Sequence, residues 1–165
     1  MALRAAVSSN LIAAGAFGAA MLLTASAGFA QSAPFAGMAG VWSGVGTISL
    51  DNGSSERIRC RATYAVSHDG KGLNQSLVCA SDSYKFELKS NVIAKNGVLS
   101  GNWSETSRNV SGTLEGRART GEFNVTVSAP SFNARLTLTT HGNRQNVVIS
   151  SDGQLKGARI SLSRV

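Results

Sequence analysis

From residue 40 onward, apolar and polar residues alternate with a period of two in nearly every segment between turn-forming residues. No apolar repeat of period 3.6 persists for three helical turns, so the pattern predicts strands rather than helices. Asp-Gly, Asn-Gly and related pairs separate the segments, and such short connections favour antiparallel neighbours. The predicted strands are 41–50, 56–66, 73–80, 84–93, 97–105, 109–118, 122–128, 132–140, 145–150 and 157–164.

Evenly spaced short strands of this kind are typical of a closed or double-layered sheet. The pattern predicts an all-β single domain over 40–165, an antiparallel up-and-down β-barrel of about 8–10 strands. A two-sheet β-sandwich is the alternative. We expect residues 31–39 to form a flexible segment before the domain.

The alternation also assigns the two faces of each strand. Ile58, Cys60 and Tyr64 share one face of the second strand, while Arg57 and Arg59 share the other. One apolar and one charged face fit a barrel that is apolar inside and polar outside. An outer-membrane barrel requires the inverse arrangement, so we expect no integral membrane protein once the N-terminal segment is removed.

The first thirty residues have the pattern of a bacterial secretory signal peptide. Arg4 precedes an uncharged apolar stretch, 11–23, and small residues at Ala27 and Ala30 offer two cleavage sites. The stretch is shorter than the ~20 residues that a spanning helix needs, which disfavours an uncleaved anchor. We therefore expect a periplasmic or secreted protein.

Cys60 and Cys79 are the only cysteines of the sequence. An oxidising compartment favours a disulfide between them. A hairpin turn centred between Asp69 and Gly70 would place the two cysteines opposite each other on neighbouring strands. A metal-binding or redox-active pair is disfavoured, because the CxxC spacing and further thiols are absent.

Several glycines fall on the inward side of the predicted strands: Gly44, Gly46, Gly101, Gly112 and Gly116. Glycine within a strand marks curvature, a bulge or close approach of another group. These residues would either bend the strands around a narrow barrel or leave room for a small ligand.

The sequence shows no catalytic constellation. His68 and His141 are the only histidines and fall in or beside turns, and no nucleophile elbow leads from a strand into a helix. No convergent set of metal ligands and no phosphate-binding glycine loop is visible. We therefore expect a protein that is not an enzyme and that uses no cofactor and no metal.

The most suggestive surface feature is a basic stripe, Arg57, Arg59 and Arg61, on one face of one strand. Guanidinium groups spaced in this way can bind phosphates or carboxylates of an anionic envelope component. Alternatively, they protect a sheet edge or pair with acids such as Asp82. Nucleic acid is disfavoured, because no aromatic residues for base stacking are interleaved with the arginines.

The segment Gly40-Val41-Trp42 resembles the first signature of lipocalins and of calycin barrels generally. Longer stretches, 55–64, 79–84 and 142–145, are similar to small exported proteins of alphaproteobacteria that are uncharacterised. The first resemblance implies a calycin-like barrel, and the second implies export without naming an activity.

Together these features predict a soluble barrel that binds a small, apolar or amphiphilic ligand, or an anionic envelope component. Trp42, Tyr64, Phe86 and Trp103 would supply apolar contacts inside the barrel, and Arg57, Arg59 and Arg61 anionic contacts outside. The alternative is a protein-interaction module, such as an inhibitor or an envelope assembly factor, that acts through loops or a sheet edge.

Overall fold

The computed structural model describes residues 33–165, so the predicted signal peptide lies outside the described residues. Within this range the chain forms ten strands and no helix: β1 (Gly40–Leu50), β2 (Ser55–Val66), β3 (Gly72–Ala80), β4 (Lys85–Lys95), β5 (Val98–Glu105), β6 (Val110–Arg119), β7 (Glu122–Ala129), β8 (Phe132–His141), β9 (Arg144–Ser151) and β10 (Leu155–Arg164). No helix among these residues is long and apolar enough to cross a membrane.

The ten strands form one closed antiparallel barrel. Each strand pairs with its neighbours in sequence, and β10 pairs with β1 to complete the ring. The structure thus confirms the up-and-down barrel and excludes the two-sheet sandwich. Closure leaves no free sheet edge in the described barrel, so a protein-interaction module, the alternative hypothesis, would have to act through its loops.

Burial follows the alternation that the sequence predicts. Along β2, Ile58, Cys60 and Tyr64 are buried, while Arg57 and Arg59 are exposed. The same inward and outward assignment holds on β4, where Phe86 is buried, and on β10, where Ile160 and Leu162 are buried. The apolar residues therefore meet in the interior of the barrel, and the outer face is mainly polar with a few exposed aliphatic side chains.

The predicted disulfide is confirmed. Cys60 and Cys79 are direct partners in the β2–β3 ladder, with Cα atoms 4.1 Å apart, and their sulfurs are bonded. The connecting turn closes where the Ser67 amide donates a hydrogen bond of 2.9 Å to the Gly72 carbonyl. Gly70 occupies this turn with φ near 68°, a conformation that favours glycine.

The inward glycines serve close approach between strands. A Cβ atom at Gly112 would lie 1.8 Å from the Ser128 carbonyl oxygen on β7, and one at Gly44 would lie 1.9 Å from the Ser161 oxygen on β10. Real atoms cannot approach so closely, so these positions admit only glycine without movement of the backbone. None of the five predicted glycines lines the interior cavity described below. These glycines allow the sheet to curve. This favours the interpretation that they bend the strands around the barrel over the interpretation that they leave room for a ligand.

Candidate functional site

One end of the barrel is closed by residues 33–39, which we call the cap. Phe35 and Met38 insert into the barrel and are almost fully buried, with Phe35 only 1% exposed. The Phe35 ring stacks on Phe123 at 5.6 Å, and the Phe35 amide donates a 3.1 Å hydrogen bond to the Gly70 carbonyl. Residues 33–39 of the predicted N-terminal segment 31–39 thus pack against the end of the barrel.

Trp42 and Arg164 fasten the cap. The Trp42 indole Nε1–H donates a 2.9 Å hydrogen bond to the Met38 carbonyl. The Arg164 guanidinium lies over the Trp42 ring and donates to the carbonyls of Gly37, at 2.5 Å, and Ala39. Trp42 therefore supports the closed end from a fully buried position.

Above the cap the barrel encloses a cavity of about 660 Å³. This volume falls within the range of sites that bind small molecules, roughly 300–1,000 Å³. Its wall is mostly aliphatic and aromatic. The principal apolar lining residues are Phe35, Met38, Leu73, Leu77, Phe86, Leu88, Val92, Leu99, Trp103, Leu114, Phe123, Val125, Leu136, Leu138, Val147 and Ile160.

The opposite end of the cavity reaches the loops between the strands and has a charged rim. Four solvent-exposed charged residues line the cavity at this rim: Asp51, Arg108, Asp152 and Lys156. The Arg108 guanidinium lies over the Tyr84 ring, 4.5 Å from its centroid. The cavity is thus apolar along its depth and becomes charged where it meets water.

Glu105 anchors the rim from just inside the mouth. Its carboxylate accepts hydrogen bonds from the backbone amides of Glu87 at 2.9 Å, Ser107 at 3.1 Å and Arg108 at 2.7 Å. Partial burial raises the pKa of Glu105, but these hydrogen bonds outweigh it, and the pKa lies below its usual value. The carboxylate is therefore ionised at neutral pH, and its hydrogen bonds hold the 106–109 loop in place.

A short polar row interrupts the apolar wall. Tyr64, Gln75 and Ser90 are successive cross-strand partners on β2, β3 and β4, and all three line the cavity. Ser90 and Gln75 share a 3.1 Å hydrogen bond, and the Tyr64 hydroxyl donates to Gln145 at 3.1 Å. Burial raises the pKa of Tyr64, so its hydroxyl stays protonated. These groups form a neutral polar strip in the otherwise apolar wall.

The structure places three of the four predicted aromatic contacts in the cavity wall. Tyr64, Phe86 and Trp103 line the cavity, whereas Trp42 does not and supports the cap instead. We therefore revise the interpretation of Trp42 from ligand contact to structural support. Sequence reasoning missed the floor residues Phe35 and Met38, although two apolar side chains before the first strand were a usable signal.

The basic stripe lies elsewhere, on the outside of the barrel. Arg57, Arg59 and Arg61 are exposed on β2 and do not line the cavity. The β2–β3 ladder ends at Arg59 and Ala80, so Asp82 lies beyond it and is not a ladder partner of Arg57, contrary to one interpretation of the sequence. Among residues 33–165, no three His, Cys, Asp or Glu side chains converge as metal ligands would.

The fold and its interior define a closed, ten-stranded antiparallel β-barrel with a cavity large enough for a small molecule. No protein-family model and no curated protein matches the chain. Several solved structures share the fold, and two of them follow. Rv2717c from M. tuberculosis superposes with a TM-score of 0.61 at 12% identity, covering 79% of this chain and 94% of that one. The S-type phycobiliprotein lyase CPES from Guillardia theta superposes with a TM-score of 0.57 at 8% identity, covering 79% and 90%.

Proposed function

We propose that this chain is an exported, non-enzymatic binding protein that holds a small apolar or amphiphilic molecule inside its barrel. The observation that carries the proposal is the 660 Å³ cavity, which is apolar along its depth and charged at its mouth. An amphiphile would place its apolar part against the aliphatic wall and its polar end at the rim. Export is supported by the signal-peptide pattern of residues 1–30 and by the disulfide.

Burial of apolar surface would supply most of the affinity. Each buried CH₂ group contributes about 0.8 kcal/mol, so a chain of about ten or more methylenes supplies roughly 8 kcal/mol or more before the cost of association is subtracted. The Tyr64–Gln75–Ser90 row adds hydrogen-bonding partners part of the way down the wall. Charged groups are confined to the mouth, which disfavours ligands with an ionised group in the middle of an apolar body.

The test is a titration of the purified, oxidised protein with a fluorescent fatty acid whose emission rises in apolar surroundings. Ala134 is buried in the cavity wall, and Ala134→Phe would fill part of the space. We expect saturable one-to-one binding that weakens about tenfold or more in this variant. Ala65→Phe, on the exposed face of β2, is the matched control and should bind as the parent does.

Two outcomes would reject the proposal. The first is the absence of saturable binding with fatty acids, lysolipids and neutral apolar probes alike. The second is equal binding by the parent and the Ala134→Phe variant, once circular dichroism has shown that both are folded. Native mass spectrometry of freshly purified protein then reports any molecule that the barrel retains from the cell.

A further inference from the structure

Positive charge is concentrated on one side of the barrel, over β10, β1, β2 and β3. These four consecutive strands contain six Lys or Arg residues but a single acidic residue, Glu56. The Glu56 carboxylate accepts hydrogen bonds from Ser81, at 2.5 Å, and Ser83 in the β3–β4 loop. The one acid on these four strands is therefore bound to the loop at the rim.

Barrel closure brings a fourth arginine to the predicted basic stripe. Thr47 on β1 pairs with Arg57 of β2 on one side and with Arg159 of β10 on the other. Val45, two residues earlier on β1, pairs with Arg59 and is 49% exposed. We call this surface the arginine face: Arg57, Arg59, Arg61 and Arg159 around Val45.

Among the described residues, no side-chain hydrogen bond or ion pair accounts for the clustering of these arginines. Ion pairs within residues 33–165 join Lys85 to Glu87 and Arg108 to Glu105, and neither involves the arginine face. β2 is bonded on both sides, so its arginines protect no edge. Like charges on a solvent-exposed face repel one another, and an anionic partner would relieve that repulsion.

We propose that the arginine face docks the barrel on an anionic lipid bilayer. Alternate residues of a strand lie about 6.6–6.8 Å apart, and β2 and β10 are separated by roughly 9–10 Å, so the charges form a two-dimensional array. Such an open array matches many headgroup phosphates, whereas a single free anion would need a pocket. The arrangement orients the barrel with its side wall on the membrane.

The apolar residues between the arginines favour a bilayer over a soluble polyanion. Val45, Val78 and Val148 are exposed and are cross-strand partners of Arg59, Arg61 and Arg159 respectively. Aliphatic side chains gain free energy at the boundary between headgroups and acyl chains. The exposed large apolar residues of residues 33–165 are all aliphatic, so the face offers no stacking platform for nucleic-acid bases.

The test is co-sedimentation of the purified protein with vesicles of phosphatidylglycerol and phosphatidylcholine, compared with vesicles of phosphatidylcholine alone. We expect binding to the anionic vesicles that weakens as salt rises. Replacing all four arginines of the face with Gln should lower the partition coefficient by about fivefold for each arginine removed. If the fourfold variant does not fold, the double variant Arg59→Gln/Arg61→Gln replaces it.

A charge-matched control separates the arginine face from net charge alone. It replaces four exposed basic residues on the other strands with Gln: Lys95, Arg117, Arg119 and Arg135. This control should bind the anionic vesicles nearly as the parent does. A second pair tests the apolar contact: Val45→Asn should weaken binding a few-fold, whereas Val98→Asn, which is 47% exposed on β5, should not.

Three results would overturn the proposal. One is no binding to anionic vesicles at low salt, and another is equal loss in the two fourfold variants. The third is that Val45→Asn has no effect while a single-stranded oligonucleotide displaces the protein from vesicles, which would indicate a soluble polyanion. The cavity plays no part in this test, so its outcome is independent of ligand binding inside the barrel.

Discussion

The guanidinium carbon of Arg164 lies 4.3 Å from the centroid of the Trp42 ring. The two residues are cross-strand partners on β10 and β1, at the seam where the barrel closes. The same guanidinium donates hydrogen bonds to the Gly37 and Ala39 carbonyls of the cap. One side chain thus joins the last strand, the first strand and the floor of the cavity.

Replacing Arg164 with Gln should loosen the cap. The change removes a cation–π contact and two hydrogen bonds from a charged donor, and we expect it to lower the free energy of unfolding by about 2–3 kcal/mol. Urea unfolding measures the loss, and hydrogen exchange should show faster exchange at residues 33–39. Arg144→Gln, at an exposed position on β9, should stay within about 0.5 kcal/mol of the parent. Equal stability of the two variants would contradict this role of Arg164.

Removing the disulfide should destabilise the barrel without changing its topology. Cys60 and Cys79 are 19 residues apart in sequence, and closing a loop of this length contributes about 3 kcal/mol in the chain-entropy model. The Cys60→Ser/Cys79→Ser variant should therefore lose roughly that amount in urea unfolding. The parent measured in reducing agent should behave like the variant. A midpoint unaffected by reduction would show that the bridge does not stabilise the fold.

Gly112→Ala should destabilise the fold more than most substitutions of glycine do. The added methyl would collide with the Ser128 carbonyl oxygen, so the strand must shift, and we expect a loss of about 2 kcal/mol or more. Gly37→Ala is the matched control, because a Cβ atom there meets nothing within 4 Å. Thermal unfolding of the two variants makes the comparison. The interpretation fails if they are destabilised equally.

Glu105 should contribute stability that depends on pH. Its folded-state pKa lies below the ordinary value of 4.5, so the ionised form stabilises the fold above that pH. This contribution is lost as the pH falls through the folded-state pKa. We expect Glu105→Gln to cost about 1.5–3 kcal/mol at pH 7, with a smaller difference from the parent in acid.

Urea unfolding of the parent and Glu105→Gln at a series of pH values measures this difference. Glu115→Gln, on the exposed face of β6, is the control and should change stability by less than about 0.5 kcal/mol. A difference between the parent and Glu105→Gln that stays constant from pH 7 into acid would contradict the assignment.

The architecture could be predicted from local signals because in this chain each strand pairs with its neighbours in sequence. Alternation located the strands, and the Asp69-Gly70 turn set the register that joins Cys60 to Cys79. The volume of the cavity could not be predicted. It depends on the number of strands and on their shear, which are properties of the closed barrel as a whole. A cavity of 660 Å³ therefore emerges only from the structure.

The residues of the cavity wall could be predicted only in part, and the reason is related. Alternation tells which face of a strand a side chain occupies but not its depth along the barrel axis. Trp42 and Trp103 both point inward, yet only Trp103 reaches the cavity. Arg159 joins Arg57 on the outer face through pairing between β10 and β1, a contact between distant parts of the sequence.

The central claim, that the barrel interior binds an amphiphile, is tested most directly by quenching of tryptophan fluorescence with a brominated fatty acid. Trp103 lines the cavity and Trp42 does not, and these are the only tryptophans of the chain. Trp42 lies behind Tyr64, 6.5 Å from its ring centroid, so a cavity ligand should quench it less than Trp103. We expect strong saturable quenching in the parent and in Trp42→Phe, and clearly weaker quenching in Trp103→Phe. Equal quenching in the two variants, or none in the folded parent, would contradict binding inside the cavity.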